Sequence, residues 1–133
     1  MLVLFVAFAA VMAVVGFSKW YVPAEKVKWT DNFAAAQQAA REQNKPVLLY
    51  FTAEWCGPCQ SMRREVFSSS AVADAVAGVV PVRIDIDHNA ALAGQFHVTA
   101  IPRFVLLDQD GQVIRSQEGA LEADDFIRWV KGS

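Results

Sequence analysis

The sequence predicts an α/β fold, with a mixed four- or five-stranded sheet and helices on both faces, preceded by one N-terminal apolar helix. Short apolar runs typical of buried strands alternate with longer stretches typical of helices. This alternation indicates a parallel strand pair joined by a helical crossover. Near the C-terminus, Asp110-Gly111 separates two strand-like runs. Such a pair predicts a hairpin, which adds an antiparallel part to the sheet.

The N-terminal segment, residues 1–22, is expected to be a membrane anchor or a signal segment. Leu2 to Phe17 contains no charged residue. A helix extended to Val22 would be about 32 Å long, enough to cross a hydrocarbon core of roughly 30 Å. Lys19 could then snorkel, and the following Trp and Tyr would lie at the interface. A retained anchor is therefore the favoured interpretation.

Two other interpretations of this segment stay open. A cleaved signal peptide has weak small-residue cleavage positions around Gly16, but no Lys or Arg precedes the apolar stretch. A buried core helix is the other alternative. The nearly uniform hydrophobicity of the segment, with no polar stripe, counts against it. Lys19, Lys26 and Lys28 follow the stretch, which by the positive-inside rule would place the next domain in the cytoplasm. We expect residues 23–28 to be a linker and residues 29–133 to form one domain.

Apolar periodicity, capping residues and turn residues predict the elements of this domain. Trp29 begins a short strand or packs as an anchor. Asp31 is expected to cap the first helix, and Ser70 is expected to cap the third. The predicted order is a helix to Gln43, a strand at Val47–Thr52, a helix at Gln60–Phe67, a short helix at Ala71–Ala77, a strand at Val79–Ile86, a helix at Ala90–Phe96, strands at Phe104–Leu107 and Gln112–Ser116, and a helix at Glu122–Lys131.

The only two cysteines, Cys56 and Cys59, lie between a predicted strand and a predicted helix. Sulfurs three positions apart can close into a small disulfide ring and reopen without a change of fold. The unpaired N–H groups and the dipole at a helix N-terminus favour an anion. The first sulfur can therefore be a thiolate near neutral pH, which indicates dithiol–disulfide exchange.

Other uses of the cysteines fit less well. A zinc site needs about four ligands, and His88 and His97 lie outside the usual paired spacing, so no metal is expected. An inert structural disulfide would close too short a loop to stabilise the fold much. The net charge of −2, with no basic stripe, argues against a nucleic-acid partner.

Several motifs give the chain a family resemblance. Trp55-Cys56-Gly57-Pro58-Cys59, then Ile101-Pro102 and Asp110-Gly111, resemble the thioredoxin superfamily over about Trp29 to Val130. The run from Asn44 to Phe51, with Glu65-Val66-Phe67, is similar to the C-terminal domain of bacterial transmembrane thiol:disulfide interchange reductases and to membrane-tethered thioredoxin-like proteins. The resemblance implies a thioredoxin fold. It also implies a redox domain that faces the periplasm, whereas the positive-inside rule applied to the three lysines would place that domain in the cytoplasm.

The roles of the motif residues follow from helix geometry. Cys56, nearer the helix N-terminus and expected to be the more exposed sulfur, is predicted to be the nucleophile. Cys59, one turn on, is predicted to resolve the mixed disulfide. Gly57 permits close approach of a partner chain. Pro58 suits the first turn, where its missing N–H costs nothing, and stiffens the loop.

The resemblance also implies how a substrate would bind. It makes Trp55 a partly exposed wall for docking, although a core aromatic is the alternative. It places Pro102 at a cis peptide bond. It also implies that the backbone of Ile101 pairs with an extended substrate segment beside the sulfurs.

Two departures from the family pattern affect the expected proton transfer. Tyr50 stands where thioredoxins usually bury an acid, and a phenol with a pKa of about 10 is a poor base. Arg83 stands where the family has the lysine that pairs with that acid. Glu54 could assist the proton transfer through water, or be a solvated loop acid.

The second departure is Arg103, after Pro102. Its charge could lower the pKa of the Cys56 thiol, or it could be a plain surface arginine.

The sequence therefore predicts a thiol–disulfide oxidoreductase, most simply a membrane-anchored disulfide reductase or electron carrier. Its partners would be oxidised client proteins and a membrane or thioredoxin-type electron donor, with the N-terminal helix in the membrane. No cofactor besides the Cys56–Cys59 disulfide is expected. An oxidase or isomerase on the same fold is an alternative, since direction depends on the reduction potential. A non-catalytic binding module is another.

Overall fold

The computed structural model describes residues 3–7 and 23–133. Residues 3–7 are helical, and the rest of the predicted N-terminal helix lies outside the described residues. None of the described helices has the length and apolar character needed to cross a membrane. The elements of the domain, in chain order, are α1 Phe33–Gln43, β1 Val47–Thr52, α2 Gly57–Glu65, α3 Ser70–Val76, β2 Val80–Asp85, α4 Ala90–Gln95, β3 Arg103–Leu107, β4 Val113–Glu118 and α5 Ala123–Lys131.

The sheet has four strands in the order β2-β1-β3-β4. β1 pairs with β2 in parallel and with β3 antiparallel, and β3 pairs with β4 antiparallel. Thr30 adds only an isolated parallel bridge to Val82, so the region of Trp29 does not form a further strand. The mixed sheet predicted from the sequence is confirmed in its four-stranded form.

β1 is buried along its whole length because both faces of the sheet are covered. Leu48 and Tyr50 face a cluster formed with α2, α3 and α5, while Leu49 and Phe51 face a second cluster with α1. Since side chains alternate across a strand, a continuous apolar run is what a strand with two covered faces requires. Packing on both faces therefore holds the end of the central strand in place, and the cysteines follow within a few residues.

Two predicted helix caps are wrong by one residue. Asn32, not Asp31, caps α1, and its side chain accepts a hydrogen bond from the N–H of Ala35 at 3.0 Å. Ser69, not Ser70, caps α3. In both cases two adjacent residues can cap, and the backbone selects the one that has the extended conformation.

The helix after the cysteines also differs from the predicted Gln60–Phe67. α2 starts at Gly57, because Pro58 fits the first turn, where no N–H is required. It ends at Glu65, and the N–H groups of Val66 and Phe67 both donate to the carbonyl of Met62. The cysteine pair is therefore part of the first turn of α2.

Candidate active site

Cys56 and Cys59 form a disulfide across the start of α2, with their Cα atoms 5.3 Å apart. Cys59 is fully buried and Cys56 is 4% exposed, so Cys56 is the more accessible sulfur. Cys56 is the N-cap of α2, and its sulfur accepts a hydrogen bond from the N–H of Cys59 at 3.2 Å. A negative charge left on Cys56 after reduction would therefore face a helix N-terminus and a backbone donor, both of which stabilise a thiolate.

The two residues between the cysteines leave the surface beside Cys56 open. A Cβ atom built on Gly57 would meet no heavy atom of the described residues within 4 Å. Pro58 lies in the first turn of α2. The surface over Gly57 is therefore open, and the approach of a partner chain there stays a prediction, while Pro58 holds the turn in helical geometry.

Trp55 lies on the surface next to Cys56, with 67% of the residue exposed. Its indole Nε1 donates a hydrogen bond to Oδ2 of Asp87 at 2.9 Å, which fixes the ring. An exposed and oriented aromatic ring is what a docking wall requires. The substrate-binding role of Trp55 stays a prediction.

The loop before β3 brings Ile101 and Pro102 to the cysteines. The Ile101–Pro102 peptide bond is cis, which is the geometry that the family resemblance implied. Ile101 packs against a small buried cluster that contains Ala53 and both cysteines. The carbonyl of Pro102 accepts a hydrogen bond from the N–H of Gly119 at 2.8 Å, which ties this loop to the end of β4.

The side chain of Arg103 is held on the sheet. Its guanidinium lies 3.1 Å from Oε1 of Glu118 and 3.3 Å from Oγ of Ser116, both on β4. The positive charge of Arg103, which could lower the pKa of the Cys56 thiol, is therefore compensated by Glu118. Glu54 is exposed, and its carbonyl accepts a hydrogen bond from the side chain of Gln60.

Tyr50 is a core residue. Its ring stacks on Phe104 with centroids 5.0 Å apart and also contacts Trp29 and Phe67. The residue is 1% exposed, and its hydroxyl lies near Thr52 but has no hydrogen-bond partner at full geometry within the described residues. Burial raises the pKa of the Tyr50 phenol above its ordinary value of 10.0, so the group stays neutral at physiological pH. The position therefore supplies no base to Cys59.

The raised pKa of Tyr50 predicts a stability change at alkaline pH. Below pH 10 the phenol is neutral in both states and has no effect on the pH dependence of stability. As the pH rises above about 10, the unfolded chain loses this proton while the folded protein keeps it, so the free energy of unfolding falls. Urea unfolding of the wild type at pH 8 to 11 should show this loss, and a Tyr50→Phe variant should show less of it. An equal loss in both proteins would contradict the assignment.

Glu25 belongs to this region, although the sequence predicts a linker at residues 23–28. Its carboxylate lies 2.6 Å from Arg83 and 3.5 Å from Arg63. The one indication in the sequence was Arg83 itself, which stands at the family's charge-pair position next to a tyrosine that cannot pair with it. Nothing local to residues 23–28 predicted that this segment folds back.

Comparisons with known proteins agree with this geometry. The family model described as thioredoxin-like matches residues 28–109. The chain is 32% identical to chloroplastic thioredoxin Y2 of Arabidopsis thaliana over 76% of its own length. It is 28% identical to the thiol:disulfide interchange protein DsbD of Actinobacillus pleuropneumoniae over 71% of its own length. The chain spans 59% of the first relative and 17% of the second.

A solved structure also superposes well on the chain. The oxidised C-terminal domain of DsbD from Neisseria meningitidis matches with a TM-score of 0.67 at 26% sequence identity. The match covers 79% of this chain and 98% of that domain.

Proposed function

The chain belongs to the thioredoxin-like family, and from this premise we propose that it is a protein-disulfide reductase acting through Cys56 and Cys59. Its fold is that of a disulfide oxidoreductase with a paired CxxC motif. The observation that carries the proposal is the position of Cys56: it caps α2, accepts the N–H of Cys59, and borders the open surface at Gly57. These features favour an accessible thiolate.

The exchange proceeds in two steps. The Cys56 thiolate attacks one sulfur of a client disulfide, forms a mixed disulfide, and releases the other client sulfur as a thiolate. Cys59 then loses its proton to solvent, and its thiolate attacks the sulfur of Cys56, which breaks the mixed disulfide and releases the second client sulfur as a thiolate. Two electrons have passed to the client, and the Cys56–Cys59 disulfide has formed. A donor dithiol restores the reduced pair by the same exchange in reverse, and within this protein the exchange uses the Cys56–Cys59 pair alone.

The direction and setting are further parts of the proposal. The Gly-Pro pair between the cysteines and the isoleucine before Pro102 resemble reducing members of the family, which supports reduction over oxidation or isomerisation. We assign residues 1–22 to a membrane anchor, with the domain outside the cytoplasm. The likeness to the thiol:disulfide interchange protein supports a membrane or thioredoxin-type donor and oxidised client proteins as partners.

Insulin reduction tests the proposal. With dithiothreitol as the donor, the wild-type protein is expected to accelerate precipitation of the insulin B chain, because Cys56 exchanges faster than a free thiol. The matched control is the same protein reduced and alkylated before the assay, which should show only the background rate. If the untreated protein is no faster than the alkylated one, a non-catalytic binding module is the better description. A topology reporter fused after Ser133 tests the orientation.

A further inference from the structure

The carboxylate of Glu25 lies across two arginine side chains from different elements. Oε1 is 2.6 Å from Nη2 of Arg83 on β2, and Oε2 is 3.5 Å from Nη2 of Arg63 on α2. The Glu25 side chain is only 19% exposed, so the shorter contact is a partly buried, charge-assisted hydrogen bond. Such a contact fixes both partners more firmly than a surface ion pair.

The segment that carries Glu25 is docked on the domain. The N–H of Lys26 donates to the carbonyl of Phe67 at 2.8 Å, and Nζ of Lys26 donates to Oγ of Ser70 at 2.7 Å. Val27 is buried in the cluster beneath α2 and α3. The backbone hydrogen bond of Lys26 and the burial of Val27 therefore hold the adjacent Glu25 in place.

Both arginines stand behind the cysteine pair. Arg63 and Arg83 line a small polar cavity of about 160 Å³, together with Ala53. Ala53 packs in the same buried cluster as both sulfurs. Arg63 also follows Cys59 by four residues on α2, a spacing that puts two side chains on the same helix face. Ala53 therefore connects the cavity that holds the two guanidinium groups to the cluster that holds the sulfurs.

Two other carboxylates line the cavity, but within the described residues neither forms an ion pair with these arginines. These carboxylates are Glu54 and Asp85. Glu54 is exposed, and Asp85 faces His88 at 3.9 Å and the N–H of Asp87 at 2.9 Å. Within the described residues, Glu25 is the carboxylate that contacts Arg63 and Arg83.

We propose that Glu25 is a positioning residue that sets the redox equilibrium of the Cys56–Cys59 pair by neutralising and fixing Arg63 and Arg83 behind it. The inference rests on the proposed dithiol exchange. Tyr50 occupies the place of the buried family acid, so a carboxylate from the segment before α1 provides the negative charge instead. Without it, two cations would stabilise the thiolate form and thus the reduced protein, which would make the pair more oxidising.

Charge variants test this by the sign of their effects. In glutathione redox buffers, Glu25→Gln is expected to shift the equilibrium about threefold or more towards the reduced protein, because two cations lose their counter-charge. Arg63→Gln is expected to shift it in the opposite direction, and the double variant should lie close to the wild type. The thiol pKa of Cys56, measured by thiolate absorbance, should fall in Glu25→Gln and rise in Arg63→Gln.

Matched controls separate the effect of the Glu25 charge from the effect of removing any carboxylate. Glu42→Gln removes an exposed carboxylate on α1 and should leave the equilibrium unchanged. Glu25→Asp keeps the charge and should restore most of the wild-type value. The Arg63 side chain is 46% exposed, so its variant is expected to fold even if Glu25→Gln does not.

The outcomes distinguish the inference from the proposed function. If the wild type equilibrates with glutathione but Glu25→Gln and Arg63→Gln match it or shift in the same direction, the inference is overturned and the exchange activity stands. If the wild-type pair does not cycle at all, both are overturned. Opposite shifts that cancel in the double variant would establish the role of Glu25.

Discussion

A Cys59→Ser variant is expected to stop at the mixed disulfide, whereas a Cys56→Ser variant is expected not to react at all. Cys56 is the N-cap of α2 and borders the open surface at Gly57, while Cys59 is fully buried beneath it. Only Cys56 can therefore meet a client disulfide, and only Cys59 can reach Cys56 afterwards. Turnover in both variants should fall on the order of a thousandfold or more, since each removes a sulfur that must form a bond.

Non-reducing gels with an oxidised model client distinguish the two variants. Cys59→Ser should give a covalent adduct that dithiothreitol dissolves, and Cys56→Ser should give none. Ser61→Ala, at a half-buried position on the same helix, removes a hydroxyl in place of a sulfur; it is the matched control and should turn over like the wild type. An adduct that forms as readily with Cys56→Ser would mean that the buried sulfur is the nucleophile, contrary to the geometry described above.

The position of the redox pair could be predicted because its determinants are local. A continuous apolar run defined β1 at its observed bounds, Val47–Thr52, and the cysteines follow within a few residues. The residues that start α2 are also those that place Cys56 at its N-terminus. The cis bond before Pro102 followed from the family resemblance and not from local sequence, since most X-Pro bonds are trans.

The electrostatic surroundings of the pair could not be predicted in the same way. Glu25 meets Arg83 across 58 positions of sequence, through a docked segment with no periodic pattern of its own. Arg103 pairs with Glu118 because β4 extends beyond its predicted end at Ser116, so that residue 118 comes opposite residue 103 in the register. Such contacts depend on which side chains the finished sheet brings together.

A Tyr50→Asp variant, which restores an acid where thioredoxins usually bury one, is expected to lose most of its stability. The Tyr50 ring is 1% exposed and packs against Trp29, Phe67 and Phe104. Truncating a buried aromatic side chain costs about 3–5 kcal/mol. A carboxylate in this apolar cluster adds a desolvation cost, because Arg83 already pairs with Glu25.

The matched substitution at the same position is Tyr50→Phe, which keeps the ring and removes a hydroxyl with no partner within the described residues. Its free energy of unfolding should stay within about 1 kcal/mol of the wild type, since no hydrogen bond is lost. Urea unfolding of the oxidised proteins, followed by circular dichroism, measures both changes. If Tyr50→Asp instead kept the wild-type stability and accelerated release of the client from Cys56, position 50 would be able to hold a proton-transferring acid, contrary to our expectation. Because the ring is enclosed by aromatic side chains, we expect a loss of packing and no gain in catalysis.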